Sequence, residues 1–241
     1  MEEHYIVQVQ SQVQGLVDDL KAVFTHAGLG GEAGEYKLLT QSFLYKFLND
    51  KFLYEALNID ESYDYQGLLN LSEEDYDWFL DDIGTKTAHL KPEQLIESLH
   101  RQQNQADFAE IFEQTLNQIA IDNNAIFSVH TDGGTDIRLF DQRLITDTIS
   151  DTSKRNEVAA SIINLLARVK FDQQIFSQGF DFFSTLFEYM IKDYNKDGGG
   201  KYAEYYTPHS VAKIIAAILV GNDQPSNVKI YDPSAGSGTL L

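Results

Sequence analysis

The sequence predicts a mainly α protein: a helical domain over residues 1–150, followed by the truncated start of an α/β domain over residues 151–241. Three observations carry this. Apolar residues recur at three- and four-residue spacing through most of the first two-thirds of the chain. The one convincing buried-strand pattern, NVKIYD, falls at the far end. Between the two lies DGGGKYAE, the most flexible composition in the chain.

Leu16, Val17, Leu20, Val23 and Phe24 predict a first helix, which GLGGEAGEY breaks. In EYKLLTQSFLYKFLNDKFLYEAL, one apolar face runs through Leu39, Phe43, Phe47 and Leu48 and extends to Phe52 and Leu53, as a core helix requires. A weaker period surrounds Tyr76, Phe79 and Leu80. Pro92 suits the first turn of a long helix over KPEQLIESLHRQQNQADFAEIFEQTLNQIA. In the least regular part, IFSVH and IRLF read either as two short strands around DGGTD or as a loop. AASIINLLARVKFD is an amphipathic helix, and FDFFSTLFEYMIKDYNK is another, with Phe182, Phe183, Leu186, Phe187 and Met190 as its apolar face. After the linker, YYTPHSVAKIIAAILVG reads as a turn and a helix that Gly221 ends.

The 241 residues are 43% hydrophobic with four prolines, the composition of a folded chain and not a disordered one. No stretch reaches the roughly 18 apolar residues of a membrane span, and MEEHYIVQVQSQ is no secretory signal. With no cysteine, disulfide scaffolds, thiolate metal sites and cysteine nucleophiles are excluded, and a cytoplasmic protein fits. The six histidines are scattered, so no metal site is expected. The net charge is −19, and residues 52–85 hold ten acids without a Lys or Arg. That segment reads as a solvated face or as a docking surface for a basic partner. Neither reading lays it against DNA phosphates, so any DNA-directed work needs positive charge from another surface or subunit.

The closing VKIYDPSAGSGTLL carries the chemistry. Val228 and Ile230 alternate with Lys229 and Tyr231 as in a strand, and Asp232 sits where the strand would end. Open α/β sheets bind ligands there, and Gly236 and Gly238 would let the backbone approach one. No Lys follows the glycines as in a P-loop, and Leu241 stands where a dinucleotide fingerprint has its third glycine. That leaves a nucleoside ligand without a pyrophosphate, a description S-adenosylmethionine meets.

DPSAGSG resembles the first cofactor motif of amino-methylating DNA methyltransferases, and YYTP, with Thr207 lying 25 residues before Asp232, resembles their Thr-Pro segment. The order Thr-Pro, helix, strand, D-P-x-x-G-x-G is that of adenine-N6 enzymes whose cofactor half precedes the catalytic half. With a helical N-terminal domain holding EYKLLTQSFLYKFLND, the chain resembles the modification (M) subunit of type I restriction–modification systems, specifically over 200–241 and diffusely before that. The resemblance implies that Glu204, Tyr205, Tyr206, Thr207, Pro208 and His209 line an S-adenosylmethionine pocket near its methionine part. It implies that Asp232 faces the methionine amino group and that Gly236, Ser237, Gly238 and Thr239 wrap the cofactor with backbone. Plain structural roles stand beside these: Tyr205 and Tyr206 packing the helix start, Thr207 capping it, Pro208 in its first turn, and His209 exposed on it.

The family's catalytic Asn/Asp-Pro-Pro-aromatic motif holds a flipped adenine, and it is absent: the prolines at 92, 208, 225 and 233 are never adjacent. The expectation is therefore an N-terminal fragment with no catalytic residue of its own and no activity alone. Its implied partners are DNA, a specificity subunit and a second M subunit, which a restriction subunit can join. Two other readings remain. One is a helical interaction and assembly module without catalysis. The other is a stand-alone adenine-N6 methyltransferase of the same motif order.

Overall fold

The structure is a computed structural model and describes residues 2–30, 33–127, 129–130, 136–137, 139–171, 173–177, 185–186, 189, 207, 209–221 and 231–232. Within these the protein is mainly helical, as expected. The chain divides into two compact units, Met1–Phe180 and Asp181–Leu241.

In the first unit, α1 (Glu2–His26) buries Val9, Val13, Leu16, Val17, Leu20 and Phe24; of the stripe expected from the sequence, Val23 is only half-buried. Helix α2 (Ala33–Ile59) is the hub. It packs against α1, α4 (Glu73–Ile83), α8 (Leu144–Thr148), α9 (Arg155–Arg168) and α10 (Gln173–Ser177). Leu39, Phe43, Leu48 and Phe52 are buried as expected, but so are Tyr45, Lys46, Asn49 and Asp50. The polar members are satisfied. Asn49 Oδ1 accepts the Ile96 N–H at 2.9 Å, and Asp50 Oδ2 accepts the Phe171 N–H at 3.0 Å. The Tyr45 hydroxyl donates to the Gln94 carbonyl at 2.5 Å. Phe47, expected on the buried face, is half-buried near the middle of α2 and meets α10, its ring 6.0 Å from that of Phe176.

Asp64 caps the short helix α3 (Tyr65–Leu69), its side chain accepting the Gly67 N–H at 2.8 Å. Ser72 caps α4 in the same way.

The long helix expected from Pro92 is three pieces: a 3₁₀ turn at Pro92–Gln94, α5 (Ile96–Gln102) and α6 (Phe108–Asp122). Pro92 does open the first piece. Leu95 is then extended at φ −71°, ψ 146°, and the freed Ile96 N–H goes to Asn49. The second break is held by Asn156, whose side chain accepts the Ala109 N–H at 2.8 Å and donates to the Ala106 carbonyl. Long-range side chains thus supply the partners a continuous helix would have supplied itself. A short helix, α7 (Asn124–Phe127), follows.

Of the two readings of the irregular region, the strand reading holds only in small part: Ile126 and Phe127 of IFSVH fall in α7, and Leu139 and Phe140 of IRLF are not strand. Strand β1 (Val129–His130) pairs antiparallel with β2 (Asp136–Ile137), with Val129 opposite Ile137 and His130 opposite Asp136. After α8 and a 3₁₀ turn at Thr152–Lys154, α9 buries Val158, Ala159, Ile162, Ile163 and Leu166 and packs on α1, α5 and α6. That is the amphipathic helix expected there.

In the second unit, the apolar face expected at Phe182, Phe183, Leu186, Phe187 and Met190 lies outside the described residues except for Leu186, which is buried. The DGGGKYAE linker and Val228 to Ile230 of the expected strand also lie outside them. The longest described element is α11 (His209–Val220).

Candidate functional site

Thr207 is half-buried and not helical, and α11 begins two residues later at His209. The helix is short of polar residues: after Lys213, its sequence IIAAILV is wholly apolar. Among its described side chains only Ala212 is buried. Ile214 is 59% exposed, Ile218 74% and Leu219 80%. This outward apolar surface was legible in the unbroken IIAAILV run, which has no charged stripe to mark a solvent side. Gly221 ends the helix as expected: it takes φ +60°, a conformation that favours glycine, and its N–H donates to the Ala217 carbonyl at 3.0 Å.

Asp232 is half-buried, and Tyr231 before it is 86% exposed. Of the predicted cofactor residues, the structure thus describes Thr207, the backbone of His209, and Asp232. Glu204, Tyr205, Tyr206, Pro208, Gly236, Ser237, Gly238 and Thr239 lie outside the described residues. A half-buried carboxylate suits an ammonium group, which it can hold by a charge-assisted hydrogen bond. S-adenosylmethionine carries such a group, so the residue type and exposure of Asp232 fit it.

Residues 178–241 match the family described as N-6 DNA Methylase. The expected resemblance is borne out over that segment. The chain is also 31% identical over 61 residues to the type I restriction enzyme MpnII methylase subunit of Mycoplasma pneumoniae. That match covers 25% of this chain and 11% of the relative. No solved structure matches the chain. The Thr207-to-Asp232 interval and the glycine pair after it all fall inside the matched segment.

Other chemistry is sparse. Among the described residues, no group of three His, Asp or Glu side chains could hold a metal ion, and no helix is long and apolar enough to cross a membrane. A groove of about 380 Å³ between α1 and α9 is lined by Ala22, Val23, His26, Lys154, Glu157 and Ser161, among others.

Proposed function

We propose that this chain supplies the cofactor-binding part of an S-adenosylmethionine-dependent DNA (adenine-N6) methyltransferase, as the modification subunit of a type I restriction–modification complex. One observation carries the reading: Thr207, Pro208, a helix, Asp232 and the Gly236-x-Gly238 pair occur in that order inside the segment that matches N-6 DNA methylases. The apolar surface of α11 supports it, because a helix flanking a parallel sheet buries such a face. In this reading Glu204 to His209 line the methionine end of the pocket, Asp232 holds the methionine ammonium, and Gly236 to Thr239 give backbone amides to the nucleoside. S-adenosylmethionine supplies the methyl group. The base is gripped by an Asn/Asp-Pro-Pro-aromatic segment, which these 241 residues do not contain. DNA, a specificity subunit and a second M subunit are the partners, and the site of action is the cytoplasm.

The test is reconstitution. The chain alone, mixed with duplex DNA and tritiated S-adenosylmethionine, is expected to transfer no methyl group and to bind cofactor weakly or not at all. The reading frame extended through an Asn-Pro-Pro-aromatic segment is expected to yield N6-methyladenine. Within that extended protein, Asp232→Ala is expected to weaken cofactor binding by about 1.5–3 kcal/mol, roughly ten- to a hundredfold. Sub-micromolar cofactor binding by the 241 residues alone, or an Asp232→Ala protein of unchanged affinity, refutes the proposal.

A further inference from the structure

We propose that the outer face of α4, centred on Trp78, is a docking surface for an arginine-bearing segment of a partner protein. The inference uses residues of the first unit only and stands apart from the methyltransferase reading.

Trp78 is the single tryptophan of the chain, and it is 67% exposed. Its neighbours along the helix at i−4, i−3, i+3 and i+4 are Glu74, Asp75, Asp81 and Asp82, all exposed. An indole in the open, with carboxylates one turn to either side, matches a planar cation that stacks on the ring while its neighbours pair with acids. Tryptophan and arginine are also the side chains most enriched where interfaces concentrate their binding energy.

Helix stability does not account for this pattern. Glu73, Glu74 and Asp75 favour the first turn, where negative charge meets the positive end of the helix dipole. Asp81 and Asp82 sit in the last turn, at the negative end, and no basic residue accompanies them. Asp77 and Asp81 repel at i, i+4. These charges cost the helix stability, and its opposite side offsets them. Tyr76, Phe79 and Ile83 are buried, the Phe79 ring lies 5.7 Å from that of Phe52 and 5.2 Å from that of Tyr63, and the Tyr76 hydroxyl donates to the Leu90 carbonyl. The outer face is therefore presented on a helix fixed from behind, as a preformed docking surface requires.

Charge complementarity selects the occupant. Duplex DNA is repelled, and a second copy meeting this face with its own would set acid against acid. From i−4 to i+4 the acids span about 12 Å of helix. Three arginines spaced four apart on a partner helix cover the same length.

The probe is a fluorescein-labelled helical peptide, AARAAARAAARAA, titrated into the full 241-residue chain. Saturable change in Trp78 emission is expected. By anisotropy, Trp78→Ala is expected to weaken binding about five- to tenfold with net charge unchanged. Asp81→Asn with Asp82→Asn is expected to weaken binding clearly more than Asp19→Asn with Glu110→Gln, an equal charge change at exposed sites elsewhere. All substituted side chains are exposed, and circular dichroism confirms folding. Three results overturn the proposal: Trp78→Ala binding as tightly as wild type, the two acid pairs acting equally, or Trp78 emission responding to duplex DNA or to self-association and not to the peptide.

Discussion

Lys46 Nζ lies 2.8 Å from Asp50 Oδ2 one turn along α2, and both side chains are buried. Asp50 also accepts from Asn49 Nδ2 at 2.8 Å and from the Phe171 N–H at 3.0 Å, so one carboxylate ties α2 to the chain after α9. Removing one partner of such a pair leaves an uncompensated buried charge. Asp50→Ala is therefore expected to cost about 3–5 kcal/mol in urea unfolding. Replacing both, Lys46→Met with Asp50→Leu, is expected to cost less than Asp50→Ala alone, because no charge is stranded.

The same pair has a pH signature. Burial, opposed by the Asp50 charge, holds the Lys46 ammonium below its usual 10.5. The unfolded chain then keeps its proton to higher pH than the folded chain, and stability from this group rises as pH climbs through the depressed value toward 10.5. Wild type is expected to gain on the double variant as pH rises from neutral over that window. A gap that stays constant or moves the other way in urea titrations counts against it.

Two tyrosines act in the opposite sense. Burial pushes the Tyr45 and Tyr76 phenols above their usual 10.0, with the nearby Glu93 charge adding to the shift at Tyr76. Their contribution is intact below pH 10.0 and is lost as pH rises beyond it, because only the unfolded chain ionises there. Tyr45→Phe is expected to cost about 1–3 kcal/mol at neutral pH, since the buried Gln94 carbonyl loses its donor. It is also expected to fall less steeply than wild type at pH 11, the comparison to make by chemical denaturation.

Gly67 lies inside α3, where a Cβ would stand 1.8 Å from the Ser62 carbonyl oxygen. That atom is backbone and cannot swing aside. Gly67→Ala is expected to destabilise by at least about 1–3 kcal/mol, the range for forced overpacking, and to loosen the Asp64 cap. A thermal midpoint equal to wild type would show that the 60–64 turn relaxes freely.

These examples show what the sequence could display. Helices α1 and α9 were legible because each buries one stripe of apolar side chains and leaves the rest to water. Helix α2 was legible as a core element from Leu39, Phe43, Leu48 and Phe52, but its buried Lys46, Asn49 and Asp50 looked like a solvent face. Their partners, Ile96 N–H and Phe171 N–H, are 47 and 121 residues away in sequence. The breaks around α5 were hidden for the same reason, since Asn49 and Asn156 hold them from distant helices. The candidate site was legible as a motif because its residues lie close together in sequence and need no tertiary partner to be named. Trp78 was passed over because a single exposed tryptophan breaks no periodic pattern.

The apolar side of α11 yields the last prediction. With Ile218 74% and Leu219 80% exposed, the second unit presents an adjacent pair of large aliphatic side chains to water, and Val211 and Ile214 are exposed on the same helix. Surface substitutions away from packed contacts change stability by only about ±0.5 kcal/mol. Ile218→Lys with Leu219→Lys is therefore expected to leave the urea midpoint of this chain unchanged, lower its binding of a hydrophobic dye, and raise its solubility. Ala212 is the contrast: it is buried, and Ala212→Lys would place an unpaired charge against packed atoms. The methyltransferase reading reverses the first result in a chain that carries the remaining strands. There the sheet covers α11, and the same two lysines are expected to destabilise by several kcal/mol, about 1.5–3 for each aliphatic side chain lost from burial before any desolvation of the ammonium groups. Equal tolerance in both chains would mean that α11 stays exposed in the longer protein, which contradicts its placement beside a sheet.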